Sequence, residues 1–271
     1  MISGFYTAAA GMIAENRREQ MLTNNMNNAN TPGYKSDQDK LRSFPEMLIE
    51  RLGGTAPAGN IGDMATGVYL QETIPDFSEG TVSETGKSTD VALDTARLPV
   101  NRQTGRQEGA LFFTVQTDSG VRYTRNGHFT LDAQGYLADS NGNRVLDANG
   151  RTIQLPSDNF KIDGNGIVTA SGQNIARLGI SYAANPNRLV KEGTNLFRLS
   201  GTNGTLPSAA GNPNISYQVK QGFLEGSNVS VDETMTDMMS AYRSFEANQK
   251  VLQALDGSLD KAVNQVGRIG S

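Results

Sequence analysis

The stretch that most constrains the fold is the C-terminal run from Ser230 to Val266. It has no proline and a single glycine, Gly257. Positions 235, 238, 242, 245, 249, 252, 256, 259, 263 and 266 hold Met, Met, Tyr, Phe, Gln, Leu, Asp, Leu, Val and Val. Their steps alternate three and four, which keeps one seam on one helical face. Only Gln249 and Asp256 interrupt it. Ser230 with Glu233 reads as a capping box, and Asp232 adds negative charge to the first turn, where the helix dipole favours it. At about 1.5 Å per residue the helix spans about 55 Å. So long a helix with so narrow a seam wants a partner helix rather than a broad core. The alternative is one long helix lying across its own domain.

Residues 1 to about 29 also read as helix. Phe5, Ala8, Met12, Leu22, Met26 and Ala29 keep the three-four spacing, Glu15 and Glu19 interrupt it, and Ile2, Tyr6, Ala9 and Ile13 widen the stripe. The simplest use of two such ends is to pack them on each other. A membrane-surface helix over residues 1–20 is disfavoured, because the polar side lacks a dense Lys/Arg face. The helix runs into Asn24, Asn25, Met26, Asn27, Asn28, Ala29 and Asn30, then Thr31-Pro32-Gly33-Tyr34-Lys35. Pro32-Gly33 is a turn signal, and Thr31 before proline is pushed out of the helical region. Asparagine is a poor helix former. The run is either a fraying helix end, which spacing alone favours, or a ladder of amides bonded to neighbouring backbone.

Leu41 to Leu52 suggests a short helix opened by Pro45 and closed by Gly53-Gly54, with a Gly/Ala/Pro-rich linker over 53–63. From Gly67 to about Gly222 the texture becomes β. Runs such as Phe112-Phe113-Thr114-Val115 and Val121-Arg122-Tyr123-Thr124 alternate with turns at Asn126-Gly127, Gln134-Gly135, Asn141-Gly142, Asn149-Gly150 and Asp163-Gly164. That spacing indicates antiparallel hairpins. The expected class is α+β. Residues 1–40 and 225–271 form a discontinuous, coiled-coil-like helical domain, 41–66 a short helix and linker, and 67–224 a central, mostly antiparallel β domain.

The 271 residues suffice for two domains, and a net charge of −4 argues against nucleic acid as a partner. No apolar run approaches the roughly 20 residues needed to span a bilayer, and the N-terminus lacks a signal-peptide pattern. These features point to a cytoplasmic chain or one exported without signal cleavage. There is no cysteine and one histidine, His128, so thiolate metal sites are excluded and a His-based cluster or Ser-His-Asp triad has little to build on. His128 reads as a surface strand residue. Asp139-Ser140-Asn141-Gly142-Asn143 and Asp163-Gly164-Asn165-Gly166 resemble pieces of calcium loops but lack the EF-hand pattern, and turn chemistry explains them. Gly105 and Gly109 make no phosphate loop. Arg97, Arg102 and Arg106 read as an exposed loop. No catalytic, metal or cofactor site is expected.

Three blocks carry a family resemblance: Leu22 through Lys35; Phe112 through Gln116 with Tyr123 through Asp132 and Gly135-Tyr136-Leu137; and Gly222-Phe223-Leu224-Glu225-Gly226-Ser227-Asn228-Val229 with the helix beyond, including Glu246 to Lys250. Together they resemble the flagellar axial proteins of the basal-body rod and hook, most closely the distal-rod type. One departure is the stretch Thr95 to Leu111, which separates Asp90–Asp94 from Phe112 by more than the family pattern does. The resemblance implies a non-enzymatic building block of a hollow rod, with terminal helices forming the inner tube and the β domain outside. Such a subunit is exported unfolded by the flagellar type III apparatus and partners itself and other axial subunits. It implies no cofactor, no nucleic acid and no stable membrane insertion. The implied self-assembly residues are Leu22, Asn24, Asn25, Met26, Asn27, Asn28, Asn30, Thr31, Pro32, Gly33, Tyr34 and Asn228. The third block also gives Asn248, and the seam adds Met235, Met238, Tyr242, Phe245, Leu252, Leu259, Val263 and Val266. A hook-type or adaptor subunit is the nearest alternative. From a different class, a secreted β-domain binding protein or hydrolase with a coiled-coil stalk is the other.

Overall fold

Two long helices bracket the chain: α1, Ile2–Asn27, and α2, Val231–Lys261. The computed structural model describes residues 2–43, 47–50, 60–64, 67–100, 109–193, 195–201, 204–262 and 264. α2 begins as its sequence dictates. Ser230 is the N-cap, its hydroxyl accepting from the Glu233 amide at 3.4 Å, with Asp232 and Glu233 in the first turn. α1 and α2 pack antiparallel, with Gly4 against Leu255 and Gly11 against Asn248. Continued by heptads, that register sets Arg18 level with Ala241 and Asn25 level with Thr234.

The face α2 turns to α1 is the line Thr234, Met238, Ala241, Phe245, Asn248, Leu252, Leu255 and Leu259, all buried or half-buried. Its steps alternate four and three throughout, as a heptad seam requires. This corrects the phase of the expected seam. Met238, Phe245, Leu252 and Leu259 lie on it, whereas Met235 and Tyr242 point outward at 58% and 57% exposure. Gln249 and Asp256 are exposed beside the seam and do not interrupt it. The cause is on α1, whose facing line begins Gly4, Ala8, Gly11. A Cβ on Gly11 would come within 2.8 Å of the Asn248 side chain. With the backbones this close, Thr234, Ala241 and Asn248 fit where larger side chains would overpack. On α1 itself Ala8, Ala14 and Leu22 are buried, while Phe5 is 42% exposed. Val263 and Val266 lie outside the described residues.

The expected helix over 41–52 is corrected as well. Asp37–Ser43 and Met47–Glu50 are strands, paired with Val68–Pro75 and Asn60–Met64 respectively. Backbone partners distant in sequence outweigh the weak helical propensity of so short a segment. Residues 44–46, 51–59 and 65–66 of the expected helix and linker lie outside the described residues. The chain divides into two compact units, one of Met1–Asn27, Asp37–Ile74 and Ser230–Ser271, the other of Asn28–Ser36 and Pro75–Val229. The segment following α1 thus groups with the β unit.

The β unit is built on the strand Ala110–Thr117. It pairs antiparallel with Gly120–Thr124, Ile180–Ala183 and Arg144–Val145. Alternate side chains enter two clusters. Leu111, Phe113 and Val115 join Phe129, Leu137, Val145 and Ile180, while Ala110 and Phe112 join Tyr123, Leu189 and Phe197. The strand is buried on both faces, which its run of large apolar residues anticipates. Further antiparallel pairs join Val91–Arg97 to Ser216–Gln221 and Val82–Glu84 to Phe223–Glu225.

One turn design recurs four times, as Asp132-Ala-Gln-Gly, Asp139-Ser-Asn-Gly, Asp147-Ala-Asn-Gly and Asp163-Gly-Asn-Gly. In each, one carboxylate oxygen accepts from the amides two and four residues on, between 2.8 and 2.9 Å. The glycine three residues on donates to the aspartate carbonyl from a left-handed φ near 80°. The calcium-like fragments are therefore Asx turns whose carboxylates are occupied by backbone.

Two glycines separate conformation from space. At Gly150 φ is +79° with nothing near a Cβ, so Gly150→Ala is expected to cost about 1 kcal/mol of backbone strain. At Gly127 an added Cβ would overlap the Val91 carbonyl oxygen, and Gly127→Ala is expected to cost about 3 kcal/mol. Urea midpoints of the two variants measure the difference.

Candidate assembly site and its buried clasp

The motif after α1 folds into the β unit as a clasp. Tyr34 donates its amide to the Thr31 carbonyl at 3.2 Å, closing the Pro32-Gly33 turn. Gly33 takes φ +67° and lies against the Arg125–Asn126 backbone, where an added Cβ would sit 2.5 Å from the Arg125 carbonyl carbon. Only glycine meets both demands. The Gly33 amide donates to the Glu225 carbonyl at 2.8 Å, and the Asn228 amide to the Tyr34 carbonyl at 3.4 Å. The first and third sequence blocks are thereby tied together by backbone. Tyr34 is buried under the Lys191 ammonium, 3.9 Å from its ring centroid, and Asn195 donates to the Pro32 carbonyl at 3.1 Å.

Beneath the turn lies a buried charge network. The Lys35 ammonium sits 2.7 Å from one Glu225 oxygen, which also accepts from the Gly80 amide at 3.0 Å. Arg125 Nε donates to the other oxygen. The remaining Arg125 donors reach the Leu111 and Leu93 carbonyls at 2.9 and 2.8 Å and the half-exposed Glu79 at 3.0 Å. The side chains of Lys35, Glu225 and Arg125 are 2%, 1% and 4% exposed. Burial alone would raise the Glu225 pKa, but Arg125 and Lys35 outweigh it and hold the carboxyl below the usual range. Burial pushes the Lys35 ammonium down; Glu225 restores part of that, and Arg125 opposes it. Sequence reasoning singled out the Pro-Gly turn but not this network, because Lys35 and Glu225 are 190 residues apart.

Two asparagines act as backbone clamps. Asn25, buried, donates to the Asp37 carbonyl at 2.8 Å and accepts from the Asp37 amide at 2.9 Å. Asn228 accepts from the Ser36 amide at 2.7 Å and donates to the Asp76 carbonyl at 2.9 Å. Asn28 is half-buried and its side-chain oxygen accepts from the Thr31 hydroxyl at 3.2 Å. Asn24, Asn27 and Asn30 are exposed, and Met26 is half-buried. The run is thus neither a uniform ladder nor a frayed end.

His128 approaches the buried Asp90 carboxylate at 2.7 Å, and Thr85 donates to the other Asp90 oxygen at 2.7 Å. The hydroxyl is bound to the acid and not to the imidazole, the wrong order for a nucleophile–base–acid relay. Among the described residues no group of three His, Cys, Asp or Glu side chains could hold a metal ion, and no helix is long and apolar enough to cross a membrane. Arg97 lies in the strand paired with Ser216–Gln221, whereas Arg102 and Arg106 fall outside the described residues.

Comparison with known proteins matches three family models along the chain. Residues 5–35 match the flagella basal body rod protein model, 108–170 the D1 domain of the flagellar hook protein FlgE/F/G, and 220–266 the C-terminal model of the flagellar basal body rod FlgEFG proteins. The chain is 43% identical over 273 residues to the flagellar hook-basal body complex protein FlhO of Bacillus subtilis, covering 99% of this chain and 100% of that one. It is 33% identical over 283 residues to the flagellar basal-body rod protein FlgG of the same organism (97% and 99% covered), and 28% identical over 271 residues to the flagellar basal-body rod protein FlgF of Caulobacter vibrioides (99% and 100% covered). The matched blocks hold the clasp, the central strands and both ends of the helix pair: the chain belongs to the flagellar basal-body rod and hook protein family.

Proposed function

We propose that this protein is a structural subunit of the bacterial flagellar basal-body rod that polymerises through its terminal helices into a hollow axial tube and passes torque toward the hook. The observation that carries the reading is the α1–α2 pair. Its seam already holds Met238, Phe245, Leu252, Leu255 and Leu259 between the smaller Thr234, Ala241 and Asn248, yet Tyr6, Ile13, Met235, Met239 and Tyr242, all more than half exposed, face outward. A helix pair that fills its seam and still leaves five large apolar side chains outside is suited to further helices. Its partners in this reading are other copies and other axial subunits. The unfolded chain leaves by the flagellar type III apparatus, and the assembled site is the basal body, outside the cytoplasmic membrane. No catalytic role is assigned. The buried clasp supports the reading as well, because a torque-bearing subunit needs the segment leaving α1 fixed to its β unit.

A hook-type or adaptor subunit is the second reading, favoured by one observation: the relative matched at 43% is named for the hook-basal body complex. Deleting the gene and imaging isolated basal bodies separates the two. Loss of motility with rods that stop short is expected for a rod subunit. Complete rods lacking only the hook would support the adaptor reading, and normal motility with complete structures would overturn both.

A further inference from the structure

Resting on the assembly reading above, we propose which surfaces of neighbouring copies meet. The N-terminal half of α1 of one copy lies along the N-terminal half of α2 of a second copy, in a head-to-tail contact that repeats without closing. Tyr6 and Ile13 are 68% and 59% exposed, and at about 100° per residue both point almost directly away from the seam. On α2, Val231, Met235, Met239 and Tyr242 follow one another at i, i+4, i+8 and i+11, a single exposed stripe about a quarter turn from the seam. Because the helices are antiparallel, with Gly4 beside Leu255, the two stripes stand at opposite ends of the pair. Their centres are offset by about 20 Å along its axis.

That placement decides the kind of contact. A two-fold contact through the α2 stripe would bring Asp232, Glu233 and Asp237 of two copies together; α2 has no basic residue before Arg243, and Arg18 of α1, 4.0 Å from Asp237, offsets one of the three acids. The first fourteen residues carry no charged side chain, so the start of α1 can lie on the acidic start of α2 without like-charge repulsion. A closed dimer through either stripe also leaves the other stripe of each copy uncovered. Translating one copy by about 20 Å along the pair brings its α1 stripe level with the neighbour's α2 stripe, Tyr6 near Met239 and Ile13 near Val231, and the operation repeats at both ends. The two stripes are not diametrically opposed across the pair. Successive copies therefore also rotate, and the row winds into a helix instead of a flat ribbon.

The absence of cysteine makes the test direct. Full-length chains carrying Tyr6→Cys or Met239→Cys are prepared separately, then oxidised alone and mixed at concentrations where sedimentation shows wild-type chains associating. Within one chain Tyr6 stands level with about residue 253, roughly 20 Å from Met239, beyond the ~7 Å a disulfide allows. A Y6C–M239C bond therefore reports two copies. The mixture is expected to give cross-linked dimers about tenfold above either batch alone, and the double variant Y6C/M239C a ladder of oligomers. Ile13→Cys with Val231→Cys is a second pair, should circular dichroism show either first variant misfolded. Equal dimer yields in the single-variant batches would overturn the proposal in favour of a two-fold contact. Association without mixed cross-links in either pair overturns this pairing and leaves helix-mediated assembly standing. A wild-type chain that never associates overturns both.

Discussion

Glu225→Gln is expected to destabilise the β unit by about 3–5 kcal/mol, because it strips the counter-charge from two buried cations while leaving them in place. Lys35 and Arg125 are each less than 5% exposed, so neither recovers hydration when the carboxylate is lost. Glu79, 45% exposed and bonded to Arg125, compensates little. The signature in urea is a lower midpoint with an unchanged slope. Lys35→Met should cost less, since Arg125 still neutralises Glu225. The double variant should fall short of the sum of the two, as groups sharing one network do. The pH dependence has a definite sign. The folded pKa of Glu225 lies below its unfolded value, so its stabilisation is fully present above the ordinary carboxylate range near about 4.3 and is lost as pH falls through the lower folded value. The acid limb of the stability curve should therefore be shallower in Glu225→Gln than in the wild type. An equally steep limb would show that other carboxylates set it.

The second large effect is expected for Leu252→Asp. Leu252 lies on the seam, half-buried and level with Ala8. A carboxylate there must be buried unpaired or must part the helices, at a cost of about 2–3 kcal/mol. Assembly should fail, with rods that stop short and cells that do not swim, while the urea transition of the β unit stays where it was. Tyr242→Asp is the informative companion. It changes an exposed position off the seam, so helicity should survive while assembly weakens. If Leu252→Asp builds normal rods, the helix pair is not the assembly element.

The two helices and the antiparallel β unit are legible in the sequence because each is specified locally: by three-four periodicity and a capping serine at Ser230, and by Asp-x-Asn-Gly turns whose four residues contain their own hydrogen-bond logic. The phase of the seam is not. Met235 and Tyr242 are the larger apolar side chains and draw the line to themselves, but the deciding residues lie on the other helix. Gly4, Ala8 and Gly11 bring α1 so close that the contact line falls one residue earlier, on Thr234, Ala241, Asn248 and Leu255. The signal is present as small residues recurring every three or four positions in α1, which a search for large apolar side chains passes over as gaps. The Asn-rich run misleads in a similar way, since it suggests a shared role and the structure gives its members different ones. Asn25 clamps both backbone groups of Asp37, whereas Asn228, far along the chain, bridges the backbones of two segments, Ser36 and Asp76. The strands at Asp37–Ser43 and Met47–Glu50 depend on pairing partners that no local pattern announces. The Lys35–Glu225–Arg125 network is legible only when three distant segments are already in place. A fragment of residues 67–222 would omit Lys35 and Glu225 and strand Arg125, so the boundaries suggested by texture alone cut through the clasp.

The most direct test of the central claim is the sedimentation of the full chain over a wide concentration range, beside Leu252→Asp under the same conditions. The wild type is expected to grow in mass with concentration without settling at a dimer, while Leu252→Asp remains monomeric with its β unit folded. Two chains that sediment identically at every concentration would contradict the claim that the terminal helices build the axial structure.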